Sequence, residues 1–309
     1  MGAFVLFTWI FNGGAFYGIQ KIHPVGGSYK FINPLIAVDR QQVSDFFANQ
    51  SLQAKLGSVI DKHKNKGEIE QAAVYFRDLE PGRWVGINQD AKFSPGKLLK
   101  IPVMLTYFKE AEGNPEILKK HLTYRQTPVN AAHDSRSNLE DGRSYPVEDL
   151  IKDMIVNDSD DAADALYDNI DKPALKEVFA DLGVEFKEDK QTDDYLSVRL
   201  YSLFFRVLYN STYLNREYSE KALDILSQTP NTDGIATGLP NDLVISNKYR
   251  TRNFNKTLQE SHDCGIIYYP GHPYLLCVMG IGRNADVINA VFKDLSQAVY
   301  KDMTDKYKN

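Results

Sequence analysis

Apolar residues recur at helical spacing across residues 39–64, first Val43, Phe46 and Phe47, then Leu52, Leu56, Val59 and Ile60, which predicts two core-facing helices. Residues 71–77 alternate, Glu80-Pro81-Gly82-Arg83 marks a turn, and residues 84–87 alternate again, the pattern of a β-hairpin. Residues 93–104 read FSPGKLLKIPVM: a Pro-Gly break, then Leu98, Leu99, Ile101, Val103, Met104 and Leu105, apolar nearly all round. Such a helix belongs in the middle of a domain. From residue 115 to 218 helical periodicity dominates, with starts at Ser144-Tyr145-Pro146 and Asp171-Lys172-Pro173, and further helices expected over 196–208 and 219–226. Strand patterns return at 243–247, 265–269 and 274–280, with Pro270-Gly271-His272-Pro273 as a hairpin turn. A closing amphipathic helix carries Ile288, Val291, Phe292, Leu295, Val299 and Met303 on one face.

This order predicts an α/β fold of the α+β kind, an antiparallel β-sheet flanked by helices with an inserted all-helical lobe. Residues 38–96 and 222–309 would build the α/β lobe and residues 97–221 the helical lobe. A cleft between the lobes would meet the start of the 97–112 helix.

Composition narrows the function. The 309 residues are 43% hydrophobic and 25% charged, enough for a sizeable core, and the net charge of −5 is spread along the chain without a basic stripe. Nucleic acid is therefore not an expected partner. Two cysteines, Cys264 and Cys277, are too few for a disulfide framework and lack CxxC spacing, so they do not decide the compartment. The amino terminus says more. Residues 3–11 are apolar and aromatic apart from Thr8, and the pattern resumes after Asn12-Gly13-Gly14. Residues 1–20 fit a membrane anchor or signal-like segment and 21–37 a turn-rich linker, although no basic residue precedes the run. A buried terminal segment is the alternative.

Three segments carry candidate chemistry. The first is Phe93-Ser94-Pro95-Gly96-Lys97-Leu98-Leu99-Lys100, the second Met154-Ile155-Val156-Asn157-Asp158-Ser159-Asp160-Asp161-Ala162, and the third Leu239-Pro240, Ser246-Asn247-Lys248-Tyr249-Arg250 and His262-Asp263-Cys264-Gly265. In this order they resemble the nucleophile, Ser-Asp-Asn and Lys-Thr-Gly segments of the class A β-lactamase and penicillin-binding serine hydrolase superfamily, over roughly residues 40–305. The resemblance implies that the nucleophilic serine is replaced by Lys97, while Lys100 and Lys248 keep the family's lysines. Asp158 takes the place of the motif serine, Ser159 of its aspartate and Asp160 of its asparagine. Tyr249 and Arg250 depart from the pattern, and no Glu-x-x-Leu-Asn segment follows the second motif to supply a deacylating glutamate.

Acyl transfer needs a nucleophile with a base in reach, and a lysine beside a lysine offers no hydroxyl. Their repulsion could instead make one amine reactive, towards Schiff-base chemistry. A simpler expectation is compensation: Lys97, Lys100 and Lys248 meeting Asp158 and Asp160 in one salt-bridge network that fills the site. Ser94 offers a literal Ser-x-x-Lys with Lys97, or an N-cap followed by proline. His262, Cys264, His272 and Cys277 could be drawn as a metal site, but spacing alone shows no convergence, so neither metal nor cofactor is expected. The other histidines and the 18 tyrosines and 16 phenylalanines need no cofactor. The expected function is a membrane-attached, extracytoplasmic, non-hydrolytic pseudoenzyme or cell-wall-related binding protein. Its partner would be a peptidoglycan-derived peptide, a β-lactam-like ligand or a protein. The alternative is an active β-lactamase or D,D-peptidase using Ser94.

Overall fold

The computed structural model describes residues 29–33, 50–80, 82–94, 99–126, 137, 139–186, 195–230 and 232–307. Residues 31–309 form one compact unit; residues 1–30 form another, of which only Tyr29 and Lys30 are described. The anchor expected over 1–20, most of the linker, the helix expected around Val43, and Lys97 all lie outside the described residues. No helix among the described residues is long and apolar enough to cross a membrane.

The chain opens with α1 (Gln50–Asn65), which buries Leu52, Leu56 and Ile60 and ends on Lys62, His63 and Lys64, where cations suit the helix dipole. The hairpin follows as β1 (Ile69–Asp78) and β2 (Trp84–Ile87), then the short β3 (Lys92–Phe93). Next comes the central helix α2 (Lys100–Gly113), buried almost all round as its sequence demands. A short ladder of β4 (His121–Thr123) and β5 (Ser144–Pro146) leads into α3 (Val147–Val156), α4 (Asp160–Asn169) and α5 (Lys172–Asp181). Strand β6 (Leu196–Ser197) pairs with β3 and runs into α6 (Val198–Tyr209), followed by α7 (Arg216–Ser227). The chain ends with β7 (Ile245–Asn253), β8 (Gln259–Ile267), β9 (Tyr274–Gly282) and α8 (Ala285–Tyr307).

Strands from both ends of the compact unit build one antiparallel sheet in the order β2-β1-β9-β8-β7. One face packs on α1 and α8 through Val74, Phe76, Leu276, Val278, Phe292 and Leu295. The other meets the helical lobe through Tyr75, Cys277, Met279, Phe204 and Phe205. Strand alternation therefore sorts the polar residues: in β7 and β8 the even-numbered side chains face the helical lobe and the odd-numbered ones face α8.

Two differences from the sequence reading have physical causes. The helical middle also carries the β4–β5 and β3–β6 ladders, three- and two-residue pairings too short to show a period. β7 runs on to Asn253 instead of ending at Asn247, because its polar continuation, Lys248 to Asn253, is held by pairing with β8 and needs no apolar alternation. Cys264 and Cys277, whose state their number and spacing left open, are direct partners across β8 and β9 and form a disulfide.

Candidate active site

The three motif segments converge where α2, the α3–α4 junction and the edge strand β7 meet. Helix α3 ends at Val156 and the backbone turns through Asp158, which takes the left-handed conformation with φ 56°. Asp tolerates that region better than most residues because its short side chain can bond locally. The turn brings the Asp158 carboxylate back towards the sheet. Ser159 then caps α4, its Oγ accepting the Ala162 N–H at 3.1 Å, so this serine has a structural task. Asp160 begins α4, where a carboxylate suits the positive end of the helix.

Around Asp158 stand three cations. Lys100 Nζ lies 2.9 Å from Asp158 Oδ1, 2.8 Å from the Asp158 carbonyl and 3.0 Å from Asp160 Oδ1. Lys248 Nζ is 2.7 Å from the same Asp158 Oδ1 and donates to the Ile155 carbonyl at 2.8 Å. Arg250 donates through Nη1 to Asp158 Oδ2 and places Nη2 3.6 Å from Asp160 Oδ2. Both lysines are 3% exposed, whereas the Asp158 side chain keeps 34% of its surface in solvent.

Electrostatics follow from this packing. Burial pushes Asp158 up, but Lys248, Lys100 and Arg250 outweigh it and hold the carboxyl well below the usual range. Burial pulls Lys100 well down, helped by Lys248 and Arg250 and opposed by Asp158. Geometry decides its state. Nζ donates to the Asp158 carbonyl and Oδ1 and stands in ion-pair contact with Asp160 Oδ1, so two carboxylates lie within 3.0 Å of it, the surroundings of an ammonium. We therefore assign Lys100 as a cation, which leaves it without the lone pair a base or nucleophile requires.

Four of the five residues expected to form a network are thus together, and Lys97 lies outside the described residues. The sequence reading set Arg250 aside as a departure from the pattern, although it joins both aspartates. It also missed a second cluster beside the first. Glu260, fully buried, pairs with Arg252, lies 3.2 Å from His262 Nε2 and accepts the Ser94 N–H at 3.2 Å. Burial pushes Glu260 up, yet the His262 hydrogen bond and Arg252 bring it below its ordinary value. The signal was the i, i+2, i+4 stripe Lys248, Arg250, Arg252 facing Cys264, His262 and Glu260 in register.

Ser94 corrects an expectation. It is not the N-cap of α2: that position is Leu99, without a side-chain cap. Ser94 instead follows β3, is fully buried, and is tied to Glu260 through its backbone. The residues drawn as a metal site are dispersed: His262 meets Glu260 and the edge of Phe93, Cys264 is bonded to Cys277, and His272 stacks on Tyr307 at 3.6 Å. Among the described residues no group of His, Cys, Asp and Glu is placed to hold a metal.

The antiparallel sheet and the inserted helical lobe define the fold of the serine β-lactamases and penicillin-binding proteins, and solved structures agree. PBP-A superposes with a TM-score of 0.70 at 19% identity, over 84% of this chain and 97% of that one. A β-lactamase from Chitinophaga pinensis gives 0.69 at 15% identity, over 82% and 99%. An ancestral class A β-lactamase gives 0.66 at 18%, over 81% and 99%. A search of curated proteins found no match. The sequence profile of the beta-lactamase enzyme family matches residues 51–303, and the chain belongs to that family.

Proposed function

We propose that this protein is a non-acylating member of its family, a binding protein whose cleft has exchanged the nucleophile's surroundings for an ion-pair network. The observation that carries the reading is the Asp158 carboxylate shared by Lys100, Lys248 and Arg250. A lysine that must accept a proton from a hydroxyl cannot do so while it stands as an ammonium paired with two carboxylates. Ser94, the rival nucleophile, supports the same reading: it is fully buried and its N–H is committed to Glu260. In our reading the protein works outside the cytoplasm, attached to a membrane through residues 1–20, and its ligand is a peptide related to the cell wall. The altered surroundings of Lys248, with Tyr249 and Arg250 beside it, suit recognition better than turnover.

Labelling with a fluorescent penicillin tests this. No label should survive denaturing electrophoresis, even at high probe concentration. A covalent label that disappears in Ser94→Ala would establish the rival reading, an active serine hydrolase.

A further inference from the structure

We propose that residues 31–33 are a strap that couples the chain ahead of them to the candidate site: seated, the strap braces β7 against the helices, and released, it loosens the contact of Lys248 with the α3–α4 junction. The inference goes beyond the binding reading and holds whether or not the cleft acylates. Three observations carry it.

The first is how the three residues are held. One carboxylate, Glu220 of α7, accepts two successive backbone N–H groups, Phe31 at 3.1 and 2.9 Å and Ile32 at 3.1 Å. Bonds to a full charge are stronger than bonds between neutral groups. The Asn33 N–H reaches the Tyr209 carbonyl at the end of α6 at 2.8 Å, and its side-chain amide reaches Glu80 in the β1–β2 turn at 3.2 Å. Phe31 and Ile32 are buried, and the Phe31 ring stands edge-on to Tyr268 at 5.4 Å. Three residues thus join two helices to the sheet.

The second is a line of hydroxyls from the strap to β7. Tyr268, directly after β8, donates to the Phe31 carbonyl at 3.1 Å. Ser246 of β7, fully buried, donates to the Leu223 carbonyl of α7 at 2.7 Å, and the two hydroxyl oxygens lie 3.3 Å apart. Each hydroxyl has one proton. With the strap seated both protons are committed; with Phe31 withdrawn, the Tyr268 proton is released to turn towards Ser246 Oγ. That gives the line two discrete arrangements, which transmission between sites requires. The third is register. Ser246 and Lys248 are alternate residues of β7 on the face turned to the helical lobe, and Lys248 ties that strand to the Ile155 carbonyl and Asp158. A shift at Ser246 is passed one side-chain repeat along the strand to the ion-pair network. Residues 1–30 form a unit of their own and join this one through Phe31, so a pull on that unit, or its removal, acts on the strap first.

Hydrogen exchange of the full chain, read at residue level by mass spectrometry, tests the proposal with Glu220→Gln, which keeps the shape of the side chain and removes its charge. Exchange at Phe31 and Ile32 should rise about tenfold or more. Exchange over residues 245–250 and 155–160 should rise with it several-fold, while residues 288–299 of α8 stay as in the wild type. Phe31→Ala should give the same pattern. Tyr268→Phe keeps the ring against Phe31 but cuts the line of hydroxyls, so adding Glu220→Gln to it should still free Phe31 and Ile32 and leave residues 245–250 with no further change. If Glu220→Gln fails to fold, Phe31→Ala with and without Tyr268→Phe makes the same comparison.

Faster exchange confined to residues 31–33 would overturn the proposal, because the strap would then be held without bracing anything. So would unchanged exchange at Phe31 and Ile32 in both strap variants. An equal rise in α8 is general destabilisation and counts against it as well. A full response of residues 245–250 in the Tyr268→Phe background would show that Tyr268 and Ser246 do not carry the coupling.

Discussion

Two aspartates, on opposite faces of the same sheet region, show how differently one side chain can be used. Asp158 is a third exposed, shared by Lys100, Lys248 and Arg250, and held far into the ionised range. Asp263, on the α8 face of β8, is 1% exposed and meets neutral donors among the described residues. The Ile235 N–H reaches Oδ2 at 2.7 Å and the Asn247 amide reaches Oδ1 at 3.0 Å. Burial raises it to about 7, against those hydrogen bonds and with Asp233 adding to the rise. Dipoles hold Asp263 where full charges hold Asp158. The first arrangement can fasten the short helical segment Gly234–Gly238 to the strand that carries Lys248; only the second fills a cleft with charge.

The two carboxyls should consequently respond to pH in opposite directions, and the largest effect belongs to Asp263. Its folded pKa stands above the unfolded value, so the native state binds the extra proton. Stability is complete below the unfolded 3.8 and falls as pH rises towards about 7. The loss expected from this group is roughly 4 kcal/mol. Urea unfolding from pH 4 to pH 8 should show the decline, and Asp263→Asn, less stable at pH 4 for want of one acceptor, should lack this part of the slope. Asp158 has the reverse sign, because its folded value is depressed: its contribution is present above the unfolded pKa and lost as pH falls below it.

Next in size is Asp158→Asn, which preserves the left-handed turn but removes the ion pair with Lys248 and leaves Lys100 and Arg250 with Asp160 as the carboxylate they share. About 3 kcal/mol should be lost, at the low end for a broken buried pair because Asp158 keeps solvent contact. A smaller urea midpoint at unchanged m would show it. Gly234→Ala tests the other aspartate. Gly234 has φ 65° and an added Cβ would stand 2.0 Å from Asp263 Oδ2, so a loss of about 2 kcal/mol is expected. The smallest effect belongs to Lys100→Met. The aspartates keep Lys248 and Arg250, and an apolar side chain spares the desolvation of a buried ammonium, so the change should stay within about 1.5 kcal/mol of zero.

Much of this architecture was legible in the chain. The 71–87 hairpin, the central helix and the closing helix declare themselves because each has enough length to display its period. The site was legible by register: Lys100, Asp158, Asp160 and Lys248 could be placed opposite one another once the motif segments were aligned in order. Arg250 could not, because its importance depends on β7 continuing beyond Asn247 through residues that carry no apolar alternation. The same extension hides the Arg252–Glu260–His262 cluster. The Cys264–Cys277 pairing was recoverable in principle: with a turn at Pro270-Gly271-His272-Pro273, pairing Ile267 with Tyr274 places the cysteines opposite each other three steps along. Asp263 gave no signal. Its raised pKa comes from a helical segment packed against it from 28 residues upstream, and no local pattern encodes that contact.

The central claim is that the lobe-bridging charges act as one unit, and a double-mutant cycle between Asp158→Asn and Arg250→Gln tests it most directly. Urea unfolding of the wild type, both single variants and the double variant should give a coupling energy of at least about 1.5 kcal/mol, the double variant losing less than the two singles together. Additivity within about 0.5 kcal/mol would mean that Asp158 and Arg250 stand side by side without holding each other, and the network account would be wrong.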